Sequence, residues 1–261
     1  MIWLMKNKPK ISTSINYNGK TYDLRESQGL DLSIKNSFDN KNPTFFYSDQ
    51  PSLKIVKSDN FIGNISRGGS CNVNIATVDI HCTGTHTECA THIRDIEEKI
   101  VDFCPRGFIP SRLITVEPKN ISDTSDTYHA QTVSDLVISK ESIKEKVRDK
   151  IDSLIIRTLP NSNFKLSRNY DESPAPFFTS EAIEYINELS IQHLLVDVPS
   201  IDKANDNGLL GNHHSFFKKG KTISELLYID NSIKDSFGFL QIQIPNWNLD
   251  AAPSRPIFYP A

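Results

Sequence analysis

The densest chemistry-bearing stretch of the chain is HCTGTHTECATH, residues 81–92. It holds three of the seven histidines (His81, His86, His92) together with Cys82 and Glu88. On an extended or tightly turned segment His86 and Glu88, two positions apart, project to the same side, as two ligands of one ion must. Gly84 lets the backbone turn sharply beside them. Neutral imidazole nitrogen and carboxylate oxygen are usual donors to first-row divalent metals, and a Cys82 thiolate would favour zinc further. The competing reading is a set of polar residues on an exposed turn, or histidines held by ordinary hydrogen bonds. A second cluster, Asn212-His213-His214, precedes Glu225 in the run TISELL at 222–227. It adds a histidine and a carboxylate that could complete a second metal position, although a His pair ahead of an amphipathic helix is usually surface chemistry.

Short strands and one crossover must position these residues. Asn18-Gly19 within 15–25 permits the positive φ angles of a type I′ turn and predicts an opening β-hairpin. Residues 54–56 and 72–80 alternate in polarity on either side of a turn at 66–69, and the second strand is expected to run straight into the His-rich segment. A strand is expected at 112–116, and a helix over 139–148 with Ser139 as its N-cap. The β-branched run 153–158 suits a buried central strand. The polar, proline-bearing stretch 160–176 reads as a surface loop long enough to close over something. Thr179 or Ser180 caps a helix through Leu189, with Ala182, Ile183, Ile186 and Leu189 on one face, and 193–198 forms the next buried strand, ending at Pro199. Strand, helix, strand in that order implies a parallel crossover inside a mixed sheet.

The 261 residues suffice for one α/β domain spanning 1–261, with a proper core. The formal charge of -3 comes from acids and bases scattered along the chain, so no basic stripe invites nucleic acid. The start, MIWLMKNKPK, reads as neither a signal peptide nor a spanning helix, and the expected location is cytoplasmic, away from membranes. Cys71, Cys82, Cys89 and Cys104 form no CxxC pair, so neither a disulfide scaffold nor a zinc ribbon is indicated.

The His-rich segment resembles the signature of the metal-dependent cyclase-like hydrolase family that includes bacterial kynurenine formamidase, H-x-G-T-H-x-D-x-P-x-H. Gly84-Thr85-His86, Glu88 and His92 fall in register with it. The family's distal histidine with a glutamate twelve residues later is matched by His213 and Glu225, and 196–202 (VDVPSID) is similar to its G-[IV]-D-x-P-S-x-D strand end. Asp31-Leu32-Ser33 resembles the opening DLS, and Pro253-Ser254-Arg255-Pro256 the closing P-x-R segment. The chain departs from the pattern at three places. Cys82 occupies the slot of the first histidine, Glu88 replaces an aspartate that bridges two ions, and Ala90 replaces the proline. Adjacent strand residues face opposite ways, so the first ligand is either Cys82, which is preferred, or His81 in a slipped register.

The resemblance implies a swivelling β/β/α cyclase-like fold with a mixed central sheet, one or two zinc or manganese ions per chain, and a homo-oligomer, dimer or tetramer. It implies that Cys82, His86 and Glu88 hold one ion, that Glu88, His213 and Glu225 hold a second, and that His92 is the acid/base; His214 is the register alternative to His213. A bound ion would make water acidic enough to attack an amide carbonyl. The expected activity is therefore hydrolysis of a small amide, as in arylformamidases of tryptophan catabolism. The alternatives are a cyclic-amide hydrolase or polyketide-type cyclase of the same family, or a non-catalytic protein with a closed metal site.

Asp197 and Asp202 read as groups that fix ligand orientation rather than as donors. His129 is expected in a solvated loop, and His193 at the start of a strand. Cys89 is expected to be a buried small apolar side chain. Phe45, Phe46 and Phe61 could line an aromatic pocket, although aromatic residues at this density are usually core.

Overall fold

The computed structural model describes residues 12–147 and 150–261. The β-branched run Ser153–Thr158 is buried at every position and lies at the centre of a nine-stranded mixed sheet. In order across the sheet the strands are Ala251–Pro253, His86–Glu88, Thr222–Glu225, His193–Val196, Ser153–Thr158, Ile109–Val116, Ser236–Gln243, Arg255–Pro260 and Leu30–Asp31. The four strands from Thr222–Glu225 to Ile109–Val116 are mutually parallel, and those on either flank pair antiparallel.

Alternation along the central strands builds a core on each face. Leu154, Ile156, Leu194, Val196 and Ile223 join one cluster with Ile183 and Ile186 of the helix Ser180–Glu188 and Phe216 of the helix Gly211–Phe216. Leu113, Ile155, Leu195, Leu240 and Phe258 fill the other. Thr179 caps the first of these helices by accepting a hydrogen bond from the Ala182 amide at 3.2 Å, as its side chain predicts. This helix crosses between parallel strands, so the crossover read from the sequence is present. No helix among the described residues is long and apolar enough to cross a membrane.

The opening hairpin forms as Ser12–Tyr17 against Lys20–Arg25, with Asn18 at φ 50° and Gly19 at φ 76°. Four local expectations change. The strand Asn74–Thr77 stops short of the His-rich segment, because the Asp79 carboxylate accepts the His81 and Cys82 amides, each at 3.2 Å, and closes a turn there. The helix capped by Ser139 is the short Lys140–Lys144, and Arg148 lies outside the described residues. The run at 222–227 is the strand Thr222–Glu225 and not a helix, since parallel pairing with residues 193–195 buries both faces of it. The stretch 160–176 is more than a surface loop: it holds the 3₁₀ turn Asn163–Leu166 and buries Lys165 and Tyr170.

Candidate active site

Strand register assembles the first part of the site. His86 lies directly across from Glu225, and Glu88 across from Ile223. The two-residue period puts His86, Glu88 and Glu225 on one face, while Thr87 on the opposite face meets Ser224 through a 2.7 Å hydroxyl contact. His86, Glu88 and Glu225 are all buried. Glu225 sits at the carboxyl end of a parallel strand, where ligand sites of such sheets gather, and its Oε1 accepts the Ile201 amide at 2.9 Å.

Glu88 is the hub. Its Oε2 lies 3.1 Å from His81 Nδ1 and 3.7 Å from His92 Nε2, and its Oε1 lies 3.1 Å from His213 Nε2. His81 arrives through the Asp79 turn and His92 from the 3₁₀ turn Ala90–His92. Their rings stack with centroids 4.3 Å apart. Asp250 Oδ2 joins both, 3.0 Å from His81 Nε2 and 3.4 Å from His92 Nδ1. His213 is carried by the helix Gly211–Phe216, where Asp202 Oδ2 accepts both its Nδ1 at 2.7 Å and its backbone amide at 3.0 Å.

These groups fit a cation. The Gly84 carbonyl, 3.1 Å from His86 Nδ1, can only accept, so Nδ1 carries the proton and Nε2 presents a lone pair. That Nε2 is buried without a hydrogen-bond partner, 3.7 Å from Glu225 Oε2. Glu88 Oε1 likewise lacks a hydrogen bond of good direction, despite the nearby His213. Buried polar atoms without partners are costly, and a ring of imidazole and carboxylate donors is the donor set of a divalent metal. His86, Glu88 and Glu225 offer ligand atoms within 4.8 Å of one another, and so do His81, Glu88 and His92.

The electrostatics point the same way. Burial, then the neighbouring His81, pushes the His86 pKa down to about 4. Burial and the Glu88 carboxylate push Glu225 up to about 8. Burial also opposes charge on His81, His213 and Glu88, but their mutual contacts outweigh it. His81 rises to about 10 through Asp250 and Glu88, His213 rises well above its ordinary value through Asp202 and Glu88, and Glu88 falls well below its own. Hydrogen bonds from His81 and His92 hold Asp250 far below the usual carboxylate range. A buried carboxylate ringed by imidazoles demands positive charge, which protons or a metal can supply.

A cavity of about 420 Å³ opens over this floor. Phe45, Phe46, Pro199 and Leu210 wall it, with Asp79 and Cys82 among its lining residues. Phe45 and Phe46 thus stand where an aromatic pocket would need them, whereas Phe61 pairs in a separate two-stranded ribbon and does not line the cavity.

The structure brings His86, Glu88, His92, His213 and Glu225 together. It treats the two candidates for the first position differently. Cys82 packs with Ile34, Phe45, Tyr170 and Leu226, and no group of three close ligand atoms among the described residues includes its sulfur. Burial and Asp79 push its thiol up to about 12, against forming a thiolate. His81 is the residue in contact with Glu88. His214 is exposed and stays outside the cluster.

Asp197 lies away from the cluster and binds the Thr158 amide at 2.9 Å and Lys165 Nζ at 2.7 Å, a buried structural pair. Cys89 is fully buried, and His193 begins its strand, as expected. His129 lies in an exposed bend, as expected, with its Nε2 3.2 Å from Asp206 Oδ2. Sequence reasoning missed Asp250 and Tyr128, which no local spacing marks.

Residues 30–203 match the family described as "Putative cyclase". Kynurenine formamidase from Bacillus mycoides (strain KBAB4) is 26% identical over 193 residues, covering 74% of this chain and 82% of that protein. Among solved structures, an isatin hydrolase bound to the product analogue thioisatinate superposes with a TM-score of 0.63 at 13% identity, over 88% of this chain and 91% of the other. A "predicted metal-dependent hydrolase" from Bacillus stearothermophilus superposes with a TM-score of 0.59 at 18% identity, over 88% and 97%. These likenesses agree with the cyclase-like fold expected from the motifs, and the chain belongs to the cyclase family.

Proposed function

We propose that the protein is a metal-dependent hydrolase of a small, non-peptide amide, working in the manner of an arylformamidase. The observation that carries this reading is the convergence of Glu88 with His86, Glu225 and His213 beneath the cavity, with the buried His86 Nε2 left without a partner. The names of the kynurenine formamidase relatives support an amide substrate. His86, Glu88, His213 and Glu225, with His81 at the position where the motif register favours Cys82, would hold one or two zinc or manganese ions. A bound ion would acidify water and polarise the substrate carbonyl.

The remaining chemistry belongs to the side chains. His92 lines the cavity beside the cluster, its Nδ1 facing Asp250 and its Nε2 facing Glu88. It takes the proton released as water attacks and returns it to the departing amine nitrogen, and Asp250 holds its ring for that exchange. Phe45, Pro199 and Leu210 seat an apolar substrate body and exclude water around the carbonyl. By analogy with its family the chain would act as a homo-oligomer.

The test is hydrolysis of N-formylkynurenine and of formanilide by the wild type and by His92→Ala. The reading expects turnover of at least one formamide and a loss on the order of 10²-fold or more in kcat in the variant. Absence of turnover on formamides with intact metal binding would contradict the substrate class.

A further inference from the structure

Tyr128 comes from the segment after the 3₁₀ turn Ile121–Asp123, far from the His-rich stretch in sequence, yet its hydroxyl lies against the group that orients His213. It donates to Asp202 Oδ1 at 2.8 Å and accepts the Lys203 amide at 2.9 Å. Asp202 Oδ1 also accepts the Asn212 amide at 3.0 Å, and Oδ2 is engaged by the amide and Nδ1 of His213. Asp202 is 3% exposed, so these contacts form a closed, water-poor network in which each bond fixes the next. The chain of contacts runs from Tyr128 through Asp202 to His213 Nδ1, and on from Nε2 to Glu88 Oε1 at 3.1 Å.

We infer that Tyr128 is a positioning residue for the metal site: its hydroxyl fixes the Asp202 carboxylate, which holds the His213 ring with Nδ1 protonated and Nε2 turned toward Glu88 and Glu225. An outer partner that sets the ring plane and tautomer of a ligating histidine tunes metal affinity without touching the ion. The inference rests on the metal reading above. His129 touches the same network, its Nε2 accepting the Gly211 amide at 3.1 Å and lying 3.2 Å from Asp206 Oδ2 and 3.7 Å from Asp202 Oδ1. Thr127, on the other side of Tyr128, serves as the internal contrast, because its hydroxyl donates to Glu181 Oε1 at 2.7 Å.

The test is direct titration of the metal-free full chain with Zn²⁺ alone, and with Co²⁺ followed through its visible spectrum, for wild type, Tyr128→Phe and Thr127→Ala. The inference expects about tenfold weaker binding in Tyr128→Phe, an altered Co²⁺ spectrum, and wild-type behaviour in Thr127→Ala. Equal affinity and spectrum in wild type and Tyr128→Phe would overturn it, as would equal weakening in both variants, which would mean that the segment acts only as packing. A wild type that takes up neither ion would overturn the metal reading and this inference with it. Should Tyr128→Phe not fold, Asp202→Asn breaks the same link from its other end and is expected to weaken Zn²⁺ binding at least as much; unchanged affinity there would also overturn it.

Discussion

His86 and Glu225 face each other across the antiparallel pair, Nε2 to Oε2 at 3.7 Å, with each driven toward its neutral form. An ordinary ion pair would shift both the other way. Glu225, held at about 8 by burial and by Glu88, is a carboxyl whose ionisation the metal-free fold resists. The pKa is raised above the ordinary carboxyl value of 4.5, so the neutral-form advantage is complete below that value and is lost as pH rises toward 8. Glu225→Gln mimics the neutral form. The metal-free variant is therefore expected to melt a few degrees above wild type at pH 8, with the difference vanishing near pH 4, while its metal affinity falls. Calorimetry at the two pH values checks this; a lower melting temperature for the variant at pH 8 would contradict it.

The two candidates for the first ligand sit in different surroundings. Cys82 sits among apolar side chains with its thiol pushed up to about 12, whereas His81 contacts Glu88 and Asp250. Cys82→Ser is expected to keep the wild-type metal content and its activity within about threefold, and His81→Ala to lose at least half of the bound metal. Elemental analysis of both variants decides, and the opposite pattern would restore the register in which Cys82 replaces the family's histidine.

Much of this site was legible in sequence because its signals are local. The two-residue spacing of His86 and Glu88 became a shared strand face, Asn18-Gly19 became the hairpin turn, and 153–158 became the central strand. What was not legible depends on tertiary placement. Asp250 meets His81 across 169 positions of chain, and Tyr128 meets Asp202 across 74. The placing of Cys82 and His81 depends on one Asp79 side chain that closes a turn where alternation alone predicted a continuing strand. The helical reading of 222–227 failed for the same reason: parallel pairing on a buried sheet overrode the local pattern.

His193 offers a test outside the site. It accepts or donates at Nδ1 to the Thr222 hydroxyl at 2.8 Å, and burial pushes its pKa down to about 4 from 6.5. The unfolded chain binds this proton below 6.5 and the folded chain only near 4, so stability is intact above 6.5 and falls as pH drops through that window. His193→Gln is expected to flatten the fall, by up to about 3 kcal/mol between pH 7 and pH 4. Urea denaturation at several pH values measures it, and identical slopes in the two proteins would refute the assignment.

The central claim is that the Glu88 cluster holds a catalytic divalent ion. Its most direct test is metal content by elemental analysis of protein purified without chelator, followed by formamide hydrolysis before chelation, after chelation and after Zn²⁺ or Mn²⁺ is restored. The account predicts at least one ion per chain, loss of turnover on chelation and recovery on restoration. Full turnover by a chain shown to carry no metal would contradict it.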